Sequence, residues 1–148
     1  MDHSPALAAA RHFLATVLKD EVPTDEALLA ALDQLVAAYH ETPDGDVTNV
    51  DVDVPRQVGA SLHKELSARF PHYGFYPVAD PAKPIEEAMM MGDAIDDLTD
   101  LTLDMREVTW LAEHVGIEDA HSSFRLQFFH WGQHARELSI YLCSRVWG

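Results

Sequence analysis

Cys143 is the only cysteine in the chain, so no internal disulfide can form and a zinc cluster built on thiolates is excluded. Seven glycines and eight prolines in 148 residues are too few for a collagen-like or linker-like chain. Neighbouring glycines never come closer than the fourteen positions from Gly45 to Gly59. That spacing removes both the G-x-G-x-x-G turn and the Walker A loop, and with them any glycine-rich cradle for phosphate. G-x-S-x-G is missing too, and Cys143 falls on the core-facing half of an aromatic helical segment, so a nucleophilic hydrolase is disfavoured. No apolar run is long enough to cross a bilayer, and no membrane partner is expected. Basic side chains are scarce: 10 Lys plus Arg against 25 Asp plus Glu leave a net charge of −15. A surface of that sign repels a phosphate backbone, so nucleic acid is not an expected partner. Met1-Asp2-His3-Ser4-Pro5 has neither a basic nor an apolar leader region, which makes a bacterial-type cytoplasm the default location.

What is present is helical rhythm. With 47% apolar and 24% charged residues, the composition is that of one globular domain over residues 1–148. Ser4-Pro5 opens a first helix as cap and first-turn proline, with Leu7, Ala10, Leu14 and Val17 inward. Pro23-Thr24-Asp25-Glu26 starts a second, whose stripe is Leu28, Leu32, Leu35 and Tyr39 and which ends near His40. Residues 41–54 carry Pro43, Gly45 and five acidic side chains with no basic one, and read as a solvated loop. A third helix is expected from about Pro55 to Arg69. Residues 70–84 hold Phe70, Tyr73, Phe75 and Tyr76 among prolines, an aromatic connector whose rings call for ordered packing. A fourth helix is expected to run to Val115 with Met91, Ala94, Leu98, Leu101, Met105, Val108 and Ala112 inward. A fifth, from about Ile117 to Trp147, keeps Phe124, Phe128, Trp131, Ala135, Leu138, Leu142 and Val146 in one stripe. The expected fold is all-α: an antiparallel up-and-down bundle of about five helices with an ordered aromatic connector. Gly132, beside Trp131 in the last helix, costs stability relative to alanine and implies close approach of another backbone, with the aromatic connector as the expected occupant.

Two helix faces carry candidate chemistry. Asp93, Asp96, Asp97, Asp100, Asp104 and Glu107 cluster opposite the apolar stripe of the fourth helix, where the plain expectation is a water-facing surface. Carboxylates one turn apart can also share a hard cation. On the fifth helix His130 and His134 share a face that Glu137 and Tyr141 extend, and two imidazoles one turn apart can ligate Zn²⁺ or Fe²⁺ if another helix supplies more ligands. Asp97 and Asp104, at the edge of the acidic arc, are the expected meeting points with these histidines. The candidate metal ligands are therefore Asp97, Asp100, Asp104, His130 and His134, and a divalent metal is the one cofactor the residues suggest. Tyr73, Phe75, Tyr76, Trp131, Glu137 and Tyr141 are the candidate binding residues. Glu118-x-x-His121 has the spacing of bundle di-iron sites, but a second such pair is absent.

Three segments taken together resemble the bacterial domain-of-unknown-function 5063 family. They are Arg69-Phe70-Pro71-x-x-Gly74-x-Tyr76 with Asp80-Pro81, Gly92-Asp93-Ala94-Ile95-Asp96-Asp97-Leu98, and Phe128-x-His130-Trp131-Gly132-x-His134. The resemblance implies a compact helical protein of bacterial origin and supplies no activity, substrate or catalytic residue. Glu86-Glu87 followed by Asp93 and Asp96 is also faintly similar to the acidic helix pairs of all-α nucleoside triphosphate pyrophosphatases, although a second E-x-x-E-like pair is lacking. With no complete catalytic set, the leading expectation is a non-catalytic binding or protein-interaction module with a protein partner. The competing expectation is a metal-dependent hydrolase of the pyrophosphatase type, with a metal-bound water as nucleophile.

Overall fold

The computed structural model describes residues 3–19, 21–55 and 57–148. Ser4 caps α1 (Pro5–Leu14) by accepting the Leu7 N–H, and the helix runs on into a π-turn, Ala15–Lys19. Thr24 caps α2 (Asp25–Glu41) in the same way, through the Ala27 N–H. The third helix, α3 (Gly59–Arg69), begins later than Pro55: Val58 is extended at φ −99° and ψ 97°, and the Gln57 amide donates to the Leu103 carbonyl at 2.9 Å. The loop before it is anchored as well as solvated. Thr48 donates its N–H and its hydroxyl to Asp119, and Gly45 at φ +68° lies where a Cβ would stand 2.4 Å from the Glu118 carbonyl oxygen.

The molecule is a mostly helical bundle, but it is not all-α and does not have five helices. The aromatic connector becomes β1 (Phe75–Ala79), which pairs antiparallel with β2 (Met89–Asp93) in the register Tyr76↔Gly92 and Pro77↔Met91, and Ile85–Glu87 makes a 3-10 turn between them. Met91, expected inside a helix, is instead 71% exposed on the outer face of this hairpin. Helix α4 (Ala94–His114) starts only where the Asp93 carboxylate accepts the N–H groups of Ile95 and Asp96.

The expected fifth helix is two helices, α5 (Ile117–Leu126) and α6 (Phe128–Trp147), separated at Gln127 with φ −83° and ψ 0°. No proline or glycine sits there. The carbonyl of Phe124, which an unbroken helix would give to the N–H of residue 128, accepts the indole N–H of Trp131 at 2.8 Å, and a side chain inserted into the ladder turns the axis. Gly132 is occupied from within the same helix rather than by the connector: a Cβ there would stand 2.6 Å from the Phe128 ring, which stacks on Tyr39 at 3.6 Å between centroids.

Helix α4 is central and packs against α1, α3, α5 and α6. Phe13, Leu28, Leu32, Leu35, Leu98, Leu101, Met105, Phe124, Trp131, Leu138 and Leu142 are fully buried in the core. Among the described residues no helix is long and apolar enough to cross a membrane. Truncating the centre of this core is expected to be costly: Leu98→Ala should lower unfolding free energy by about 2–5 kcal/mol. Leu126→Ala, at an exposed position beside the α5–α6 break, should change it by less than about 0.5 kcal/mol in the same denaturant titration.

Candidate metal centre

The acidic face of α4 does not simply meet water. Because α3 and α6 flank the helix, the carboxylates at its edges are drawn into the seams. Asp97 is buried at 3% exposure, Asp104 and Asp100 are half-buried, and Asp96 remains exposed.

Across the seam, α6 presents His130 and His134 one turn apart, with ring centroids 4.9 Å from each other. Nδ1 of His134 donates to Asp97 Oδ1 at 2.7 Å, and Nδ1 of His130 lies 2.8 Å from Asp104 Oδ2. The other ring nitrogens both face Asp100: Nε2 of His134 is 3.1 Å from Asp100 Oδ2, and Nε2 of His130 is 3.9 Å from it. All five residues expected as metal ligands therefore lie together, and their geometry sorts them. Asp100, His130 and His134 each offer one donor atom, all within 4.8 Å of one another. Asp97 and Asp104 stand behind the imidazoles and hold their far nitrogens. This is the arrangement in which a carboxylate fixes the orientation of a metal-ligating histidine. Metal–ligand bonds of about 2.0–2.2 Å would put the three donors roughly 3.3 Å apart, a distance that small side-chain rotations can reach.

Electrostatics favour a cation here. Among the described residues no lysine or arginine pairs with any of the five. The hydrogen bonds from His134 to Asp100 and then to Asp97 push its imidazole pKa up to about 10, so the metal-free ring is itself the cation at neutral pH and a metal ion would have to displace its Nε2 proton. The same His134 contact holds Asp100 below the ordinary carboxylate range, whereas burial raises Asp104.

The six candidate binding residues do not form one surface. Trp131 is a core side chain whose indole N–H is already satisfied, so it offers nothing to a ligand. Phe75 is 67% exposed. Tyr76 is buried, and its hydroxyl donates to Asp97 Oδ2. Its ring stacks on Tyr141 at 4.8 Å, and Tyr141 meets Tyr73 edge-on at 5.9 Å. Tyr73 donates to Asp25 at 2.7 Å, where Arg145 also binds at 2.9 Å, tying the start of α2 to the end of α6. Glu137 accepts from Gln133 on the rim.

One residue that sequence reasoning left aside joins two aspartates of the acidic face in a second group. His63 of α3 contacts Asp96 at 2.9 Å, and Asp93 is near enough to complete a second donor group. Each of these has a local explanation: Asp93 caps α4, and His63 with Asp96 forms an exposed pair. Glu86 and Glu87 lie in the 3-10 turn rather than on α4, so the pyrophosphatase-like acidic pairing on one helix is not formed. His121, in the di-iron-like spacing, is buried against Ser4 at 2.7 Å, and burial lowers its pKa.

No family model matches the sequence, and no curated protein is similar to it in sequence. The crystal structure of protein BF1032 from Bacteroides fragilis has a similar fold, with a TM-score of 0.67 over 96% of this chain and 93% of that one at 15% identity. At that identity the likeness extends to the fold alone.

A raised histidine pKa stabilises the fold fully below the unfolded value, and the contribution is lost as pH rises through the folded value. The metal-free protein is therefore expected to lose thermal stability progressively between about pH 6.5 and pH 10. His134→Gln should flatten that slope in melting curves recorded across the range.

Proposed function

We propose that the protein is a divalent-metal-binding helical domain whose ligands are Asp100 of α4 and His130 and His134 of α6. One observation carries the reading: both imidazoles have Nδ1 engaged by a carboxylate and Nε2 turned to the same Asp100 oxygen. Two imidazoles and one carboxylate suit Zn²⁺, Fe²⁺ or Mn²⁺ better than Mg²⁺ or Ca²⁺, which prefer oxygen alone. Three protein ligands leave a coordination position for water, and a metal-bound water is the nucleophile of a hydrolase. The carboxylates around the site, with no basic partner among the described residues, argue against a polyphosphate substrate, so the hydrolytic version of this reading takes a neutral or cationic one. Membership of the domain-of-unknown-function 5063 family is part of the proposal. It rests on the three sequence segments, which contribute Tyr76, Asp97, His130 and His134 to this one region.

The test is uptake of metal by purified protein. One equivalent of Zn²⁺ or Mn²⁺ should bind and raise the melting temperature, by an amount corresponding to about 2.7 kcal/mol at a hundredfold excess over Kd. His130→Gln with His134→Gln should abolish the shift, and Asp104→Asn should weaken binding about 10- to 100-fold. A wild-type protein that neither retains metal nor gains stability from Zn²⁺, Mn²⁺ or Fe²⁺ would refute the proposal.

A second reading, a protein-interaction module, is supported by the hairpin. Strand alternation places Phe75, Pro77, Met89 and Met91 on its outer face, and all four are exposed. Grouped apolar side chains of this kind mark contact surfaces. If the face mediates association, Phe75→Ser with Met91→Ser should shift the sedimentation of the protein towards the monomer and remove any dependence of its melting temperature on protein concentration, with its helical circular-dichroism spectrum unchanged.

A further inference from the structure

A third part of the chain reaches the centre from outside the two helices that carry its ligands. Asp97 is held at two points: Oδ1 takes the His134 Nδ1–H and Oδ2 takes the Tyr76 hydroxyl of β1. Two donors on the two oxygens fix the plane of a buried carboxylate, and the plane of the carboxylate fixes the rotation of the imidazole bonded to it. The other branch provides an internal contrast. Among the described residues Asp104 makes one such contact, to His130, and the His130 Nε2 stands 3.9 Å from Asp100 where that of His134 stands at 3.1 Å.

The position of the Tyr76 hydroxyl is itself built by the hairpin. Gly92 is its cross-strand partner, and a Cβ there would stand 2.6 Å from the tyrosine ring. Only glycine lets the ring lie flat across β2 towards α4. On its other side the ring stacks on Tyr141, whose hydroxyl accepts the Gly74 N–H at 3.2 Å just before β1 begins. The tyrosine is thus clamped between the partner strand and α6, with its hydroxyl aimed at Asp97.

We infer that the β1–β2 hairpin sets the cation affinity of the centre through Tyr76, a positioning residue that acts on the metal by way of Asp97 and His134. This rests on the reading of Asp100, His130 and His134 as ligands.

Tyr76→Phe tests this, because it keeps the ring, the stack on Tyr141 and the packing on Gly92 and removes only the hydroxyl. Zn²⁺ is the probe. The variant should bind one equivalent with affinity lowered about tenfold. In ¹H–¹⁵N spectra of the metal-free protein, the His134 Nδ1–H signal should exchange faster with solvent while that of His130 is unchanged. Asp104→Asn should reverse the pattern, disturbing the His130 signal and sparing that of His134. Gly92→Ala, which displaces the ring with its hydroxyl intact, should reproduce the loss of affinity. Wild-type affinity together with an unmoved His134 signal in Tyr76→Phe overturns the inference. Failure of the wild-type protein to take up Zn²⁺ overturns the ligand reading and the affinity claim with it, and the His134 signal then decides alone whether Tyr76 positions that ring.

Discussion

A carboxylate removed from water must be compensated or neutralised, and Asp97, buried in the seam between α4 and α6, is compensated by two neighbours. Its partners come from opposite directions in the chain: Tyr76 lies 21 positions before it and His134 lies 37 after it. Satisfying this one group therefore requires the hairpin, α4 and α6 to be docked simultaneously. The same bonds that remove the cost of burial aim the His134 ring at Asp100. Structural necessity and the geometry of the candidate centre come from the same set of contacts.

Two local devices make that docking possible. Trp131 draws the Phe124 carbonyl out of the helical ladder and ends α5, so that α6 can take its own line along α4. Gly92 removes a side chain from β2 so that the Tyr76 ring can pass over the strand. Neither device supplies a donor atom to the group of Asp100, His130 and His134. Each governs whether an element carrying one of the orienting groups can approach.

Much of this was legible in the chain. The caps at Ser4 and Thr24 follow from their residue types, and the stripes of α2, α4 and α6, the sharing of one face by Asp97, Asp100 and Asp104 and of another by His130 and His134 follow from 3.6-residue periodicity. The hairpin was not legible, because Met89-Met90-Met91 is an apolar run that suits a helix as well as a strand, and only pairing with Phe75–Ala79 resolves it. The break at Gln127 was hidden because the apolar rhythm passes through it without interruption. Reading the acidic arc as water-facing failed at Asp97 for a related reason: periodicity measures angle around one helix and is blind to how many neighbours that helix has.

Local periodicity and capping chemistry are short-range properties, and they suffice to place most of the helices and to say which carboxylates of α4 and which imidazoles of α6 share a side, but not to find the hairpin, the break at Gln127 or the burial of Asp97. The division of five polar side chains into three facing donors and two orienting carboxylates is long-range. It arises when α6 packs against α4 at one particular height and rotation, and when a tyrosine from a strand arrives to occupy the second oxygen of Asp97. Hydrogen bonds reach about 3 Å, so such a division exists only once packing has brought segments far apart in the chain to within that distance.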